Sequence, residues 1–209
     1  MSKIFGSMES EKPQAHPPQD HPPQDHPPLD HPLGETVTDV LAFLKSKARR
    51  LHKQVEKGSS VHVGRMRALP GMASSTDQEL IGQVKRRLCL NVIAMELGFR
   101  TWAALAHAME GDEVGGDFGT ILCPKRMMVH QNIWLADYKE AVEIKAEHGG
   151  YLLGYRRQFF IADGDYLQDL GLDPQRDEWE RMDRNWVEPG DLNARARLYA
   201  RLFAERLPA

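Results

Sequence analysis

The chain has 209 residues, 41% of them apolar and 27% charged, with a formal net charge of −3. That is enough apolar material for one or two domains, and no apolar run approaches the ~18 residues of a membrane-crossing helix. Two cysteines, Cys89 and Cys123, make no disulfide framework, and the first residues lack the apolar stretch of a secretory signal, so the expectation is a cytoplasmic protein with reduced thiols and no membrane attachment.

The small net charge hides a pattern. Residues 1–44 carry 2 basic and 7 acidic side chains, residues 45–107 carry 12 basic and 4 acidic, and residues 108–209 carry 13 basic and 19 acidic. A basic middle between two acidic flanks has two explanations: an anion-binding surface, or attraction between parts of one molecule.

The chain opens with a repeat, His-Pro-Pro-Gln-Asp twice, then His-Pro-Pro-Leu-Asp and His-Pro-Leu, over residues 16–33. Proline at this density removes backbone donors and enforces extended backbone, so residues 1–34 read as a disordered or polyproline II spacer. His16, His21, His26 and His31 invite a metal reading. At ~3.1 Å per residue, successive histidines stand ~15 Å apart, beyond the reach of one ion. No metal or cofactor is expected.

Val37, Val40, Leu41, Leu44, Ala48, Leu51 and Val55 recur at steps of three and four, one face of an amphipathic helix. Thr36 and Asp39 form a capping-box pattern at its start, and Gly58 is a stop. The opposite face carries Lys45, Arg49, Lys53 and Lys57, four apart, with Arg50 beside them. Like charges at that spacing repel by a few tenths of a kcal/mol per pair. The row is either a solvated face or a docking face for nucleic-acid phosphates or an acidic protein surface. Residues 59–77 read as a loop with a short helix at 65–69. A helix follows over 77–97, with Ile81, Val84, Leu88, Val92 and Met95 as its stripe and Cys89 as a core residue. Lys85, Arg86 and Arg87 point about 100° apart and cannot form one face.

Leu97-Gly98-Phe99-Arg100-Thr101-Trp102 then reads as a helix stop, a tight turn and a new start. Gly98 suits the left-handed position after a helix, and Thr101 is the N-cap of a helix over 102–109. This pattern, with Leu44–Leu51 upstream, resembles a small helical module of bacterial proteins, usually GF-x-[ST]-W, found ahead of glyoxalase-related domains and ankyrin-type repeats. The resemblance covers residues 37–110; it implies a helical fold there and carries no catalytic residues. A helix-turn-helix reading is weak, because residues 102–109 are mostly small and apolar rather than base-reading.

Residues 110–119 read as an acidic, glycine-rich linker. Beyond it, a strand is expected over 127–135, a helix over 138–147, two strands over 151–155 and 158–161 joined by a turn near Arg156, short helices over 165–171 and 175–182 (the second capped by Asp173 with Pro174 at its first position), and a last helix over 191–206. The fold class is therefore α+β: a helical module at 35–110 and a small α+β domain at 121–209. Catalytic chemistry has little support. His130 with Asp137, and Glu147 with His148, lack ligand spacing, and Asp163, Asp165 and Asp169 mimic half a calcium loop. Arg156-Arg157 suits an anion or neighbouring carboxylates. The expectation is a non-catalytic binding or regulatory protein. The alternatives are a nucleic-acid-associated protein using the basic helix, or an enzyme with His130, Tyr155 and Arg157 in its site.

Overall fold

Thr36 starts the first helix by reciprocal bonding: its Oγ1 accepts from the Asp39 N–H (3.2 Å), and its own N–H donates to the Asp39 carboxylate (3.3 Å). In the computed structural model, which describes residues 34–111 and 116–207, helix α1 then runs over Val37–Glu56. The Pro/His repeat and its four histidines lie outside the described residues. Gly58, at φ +72°, donates its N–H to the Val55 carbonyl and closes the helix. Val40, Leu44, Ala48 and Val55 are fully buried, as the periodicity requires.

Two helices depart from the expected pattern. Where a loop with a turn of helix at 65–69 was expected, α2 spans Ser60–Met66. The Ser59 carbonyl takes the first N–H groups, from His62 and Val63, and Val63 and Met66 face inward three residues apart. The single helix expected over 77–97 is two: α3 (Asp77–Gln83) and α4 (Arg86–Glu96). Val84 and Lys85 between them are extended (ψ 128° and 148°). Leu80 and Cys89 explain the break. In one continuous helix, nine residues apart, they would point in opposite directions at about 100° per residue. The break lets both enter the core, at 2% and 0% exposure.

The Gly98 turn is a Schellman motif: Phe99 N–H bonds to Ala94 O (2.9 Å) and Gly98 N–H to Met95 O (3.0 Å). Gly98 has φ +87°, and a Cβ there would lie 2.7 Å from Thr120 Oγ1. Thr101 caps α5 (Trp102–Glu110) through the Ala104 N–H, and Asn91 Oδ1 accepts from Trp102 N–H. Phe99 is buried, whereas Trp102 is half-buried at the rim.

In the C-terminal part, the strand expected over 127–135 shrinks to β1 (Ile133–Leu135), because residues 125–129 form a 3₁₀ turn after Pro124. Met127 N–H bonds to Pro124 O (2.8 Å), which turns Met127 inward and leaves Met128 and Val129 in solvent. Helix α6 (Tyr138–His148) is capped by Asp137. Strands β2 (Tyr151–Tyr155) and β3 (Gln158–Ala162) form a hairpin around Arg156, which adopts φ +52°. The sheet is antiparallel, in the order β1-β3-β2, with Phe160 opposite both Trp134 and Leu153. The outer edge of β2 is covered by Arg184–Trp186 through two backbone bonds to Leu152. Helix α7 (Gly164–Leu170) starts at Asp163. Asp173 makes a local turn to the Gln175 N–H instead of capping a helix, so α8 is only Asp177–Arg181. Helix α9 (Leu192–Arg206) closes the chain, capped by Asp191.

One core joins the parts read from sequence as 35–110 and 121–209. It runs from α1, α4 and α5 through α9 to the Leu153–Phe160 side of the sheet. A second, smaller core lies on the opposite side of the sheet, where Leu152, Phe159 and Ile161 meet Ala141 of α6 and Phe118. Phe118 belongs to the stretch read as a linker, yet it is 3% exposed and occupies the space beside Gly154. Arg195 ties α9 to the rest by donating to the carbonyls of Trp186, Val187 and Met109. No helix among the described residues is long and apolar enough to cross a membrane.

Candidate anion-binding face of the first helix

The same periodicity that buries one side of α1 leaves the other to its charges. Lys45, Arg49, Arg50, Lys53 and Lys57 are all exposed. None of the five forms an ion pair with a described residue. Glu56, the one carboxylate among them, is engaged with His52 (3.4 Å). The five do not line up as a straight row. Each step of four residues advances about 40° around a helix, so they spread over about 140°. Arg49, Lys53 and Lys57 occupy the centre of that band, and Lys45 and Arg50 its margins.

Several cations elsewhere are committed to internal pairs. Arg65 holds Glu96 through two bonds of 2.7 Å, Arg176 holds Glu178 through two of 2.9 Å, and Arg197 reaches the same carboxylate at 3.2 Å. Burial alone would raise the Glu178 pKa; the Arg176 fork and Arg197 outweigh it and hold the carboxyl below its usual range. Beside the band on α1 lies a hollow of about 190 Å³, where Arg50 and Gln54 face His62 and Arg65 of α2. The sequence placed residues 59–64 in a loop and so missed His62, whose Nδ1 is 2.8 Å from Ser59 Oγ.

The residues considered for catalysis are dispersed. His130 pairs with Asp169 (3.0 Å) and packs edge-on against the Tyr166 ring, not with Asp137, which caps α6. Glu147 and His148 are exposed at the end of α6. Asp163 caps α7, and Asp169 is occupied by His130, so the aspartates do not converge. Among the described residues no group of three or more His, Cys, Asp or Glu side chains is arranged to hold a metal ion. Tyr155 packs against Trp134, while Arg157 lines a groove that neither His130 nor Tyr155 reaches. Cys89 is fully buried, and burial pushes its thiol up to about 11, the state of a core side chain rather than a nucleophile.

Comparison with protein-family models, curated proteins and solved structures returned no match.

Proposed function

We propose that this protein is a non-catalytic binding module that holds nucleic-acid phosphates against the outer face of α1. The observation that carries this reading is the concentration of charge: five cations on the outer face of one helix are solvent-exposed and without ion-pair partners among the described residues, whereas Arg65, Arg176 and Arg197 are tied to internal carboxylates. Clustering like charges without a local counter-ion costs stability, a cost that an anionic partner would reverse. The contact is to backbone phosphate and carries no base specificity: α5, which follows the Gly98 turn, presents mostly small and apolar side chains rather than a base-reading set.

The test is fluorescence anisotropy of the full chain with labelled short duplex DNA across a salt series. With Arg49, Lys53 and Lys57 each meeting one phosphate, log K falls with log salt at a slope of about −2.7. R49Q/K53Q flattens the slope to about −1 without unfolding the protein. No binding at low salt, or a slope unchanged in the double variant, overturns the assignment.

A further inference from the structure

A second cationic surface lies away from α1 and is built from three loops that are distant in sequence. We propose that the groove between the Gly98 turn and the β2–β3 turn is a binding site for a phosphate-bearing small molecule, with Arg100, Arg156 and Arg157 as its phosphate ligands.

The groove has a volume of about 890 Å³. This lies within the range of small-molecule sites, roughly 300–1,000 Å³. Backbone bonds fix its walls. Phe118 N–H donates to Arg156 O and Arg156 N–H to Gly119 O, both at 2.8 Å, so the hairpin turn is locked to the 118–119 segment. Thr120 N–H donates to Gly98 O (2.9 Å), which locks that segment to the helix turn. The three arginines therefore stand on a preformed frame. Preformed sites lose little affinity to ordering on binding.

Three arginines line the groove against one acidic residue, Asp117, whose Oδ1 already accepts from the Gly119 N–H. All three arginines are exposed, and none forms an ion pair with a described residue. The excess of two positive charges matches a phosphate monoester, which carries about −1.5 to −2 near neutral pH. Guanidinium forks bind such oxygens bidentately. Arg156 holds a left-handed backbone, φ +52°, that a non-glycine residue adopts at a cost, and its guanidinium lies 5.6 Å from the Tyr155 ring centroid. Glycine would relieve that strain but would remove the cation. Met95 and the edge of Phe99 give the groove an apolar wall, so the ligand has an organic body as well as a phosphate.

The experiment is an NMR titration of the ¹⁵N-labelled full chain with inorganic phosphate, phenyl phosphate and phenol. Saturable shifts are expected at the backbone amides of Thr120 and Gln158 and at the Nε–H signals of the three arginines. Phenyl phosphate binds more tightly than phosphate, and phenol does not bind. In R156N/R157Q, where asparagine tolerates the left-handed position, affinity for phenyl phosphate falls at least about tenfold, while the unchanged amide spectrum of α1 and α4 shows the fold intact. R49Q/K53Q leaves this affinity unchanged, which separates the groove from the α1 face. Shifts confined to α1, absence of saturation, or equal affinity in R156N/R157Q overturns the proposal.

Discussion

The two ends of the core are made of different materials. Around α1 and α4 the buried side chains are aliphatic, Leu44, Leu51, Val92 and Ile93 among them, and no charged side chain is fully buried, the Arg65–Glu96 pair being half-buried. Around α8 and α9 the core is aromatic, with Trp179, Trp186, Tyr199 and Phe203 in successive ring contacts, and charge goes inside: Arg195 is 1% exposed and Glu178 6%. The helical end is built on apolar periodicity, and the five cations on the outer face of α1 have no ion-pair partner among the described residues, although Arg65 of α2 is tied to Glu96. At the aromatic end Arg176, Arg195 and Arg197 serve as internal ties. Charge count alone therefore says little about binding; what matters is whether a cation has internal work.

Four perturbations test this contrast. The largest effect is expected from Trp186→Ala, which removes a fully buried ring lying against Trp179 and Tyr199. Denaturant unfolding should show a loss of about 3–5 kcal/mol. A smaller loss than for Leu51→Ala would show that the aliphatic end, not the aromatic one, anchors the fold. Next, Gly98→Val should cost more than about 2 kcal/mol, combining positive φ with a Cβ driven toward Thr120. Trp102→Ala should cost less than Phe99→Ala, since only Phe99 is fully buried.

Glu178→Gln comes third, at about 1–3 kcal/mol above pH 5, because two arginines lose their buried charge partner. Its sign with pH is fixed. The folded pKa lies below the ordinary value of 4.5, so the contribution is complete above that value and is lost as pH falls through the folded pKa. The stability gap between wild type and variant should close on acidification, as read by thermal unfolding at several pH values. A gap that widens would mean that the carboxyl is protonated in the fold. Smallest is R49Q/K53Q, expected within about 0.5 kcal/mol of wild type or slightly stabilising. A loss beyond 1 kcal/mol would give these cations the internal work denied to them above.

Local chemistry was legible where it is self-contained. The Thr36–Asp39 box, the Gly98 stop, the Thr101 cap and the hairpin at Arg156 all stand where residue type and spacing placed them. The break at Val84–Lys85 was not legible, because no proline marks it, Gly82 lies within α3 rather than at the break, and only the three-dimensional core requires Leu80 and Cys89 on one side. Residues 127–129 read as a strand because a short apolar run fits several structures, and the 3₁₀ turn follows from burying Met127 alone. The basic face of α1 lies within a single helix and was visible. The arginine groove was only half visible: Arg156-Arg157 stood out as an anion candidate, but nothing in the sequence joins them to Arg100 across more than fifty residues.

The unequal edges of the sheet bear on how this protein behaves when concentrated. The outer side of β2 is closed by the Leu152 bonds, but among the described residues β1 pairs only with β3. Its neighbourhood is apolar: Met128 and Val129 are 73% and 82% exposed, and Ile133 and Trp134 are 43% and 44%. Open edges with apolar flanks favour self-association, and shortness is one of the ways proteins blunt them. With three residues, β1 spans only about 10 Å, so a second chain gains few backbone bonds there. The 3₁₀ turn keeps residues 127–129 from lengthening that edge, and Val129→Lys would guard it further.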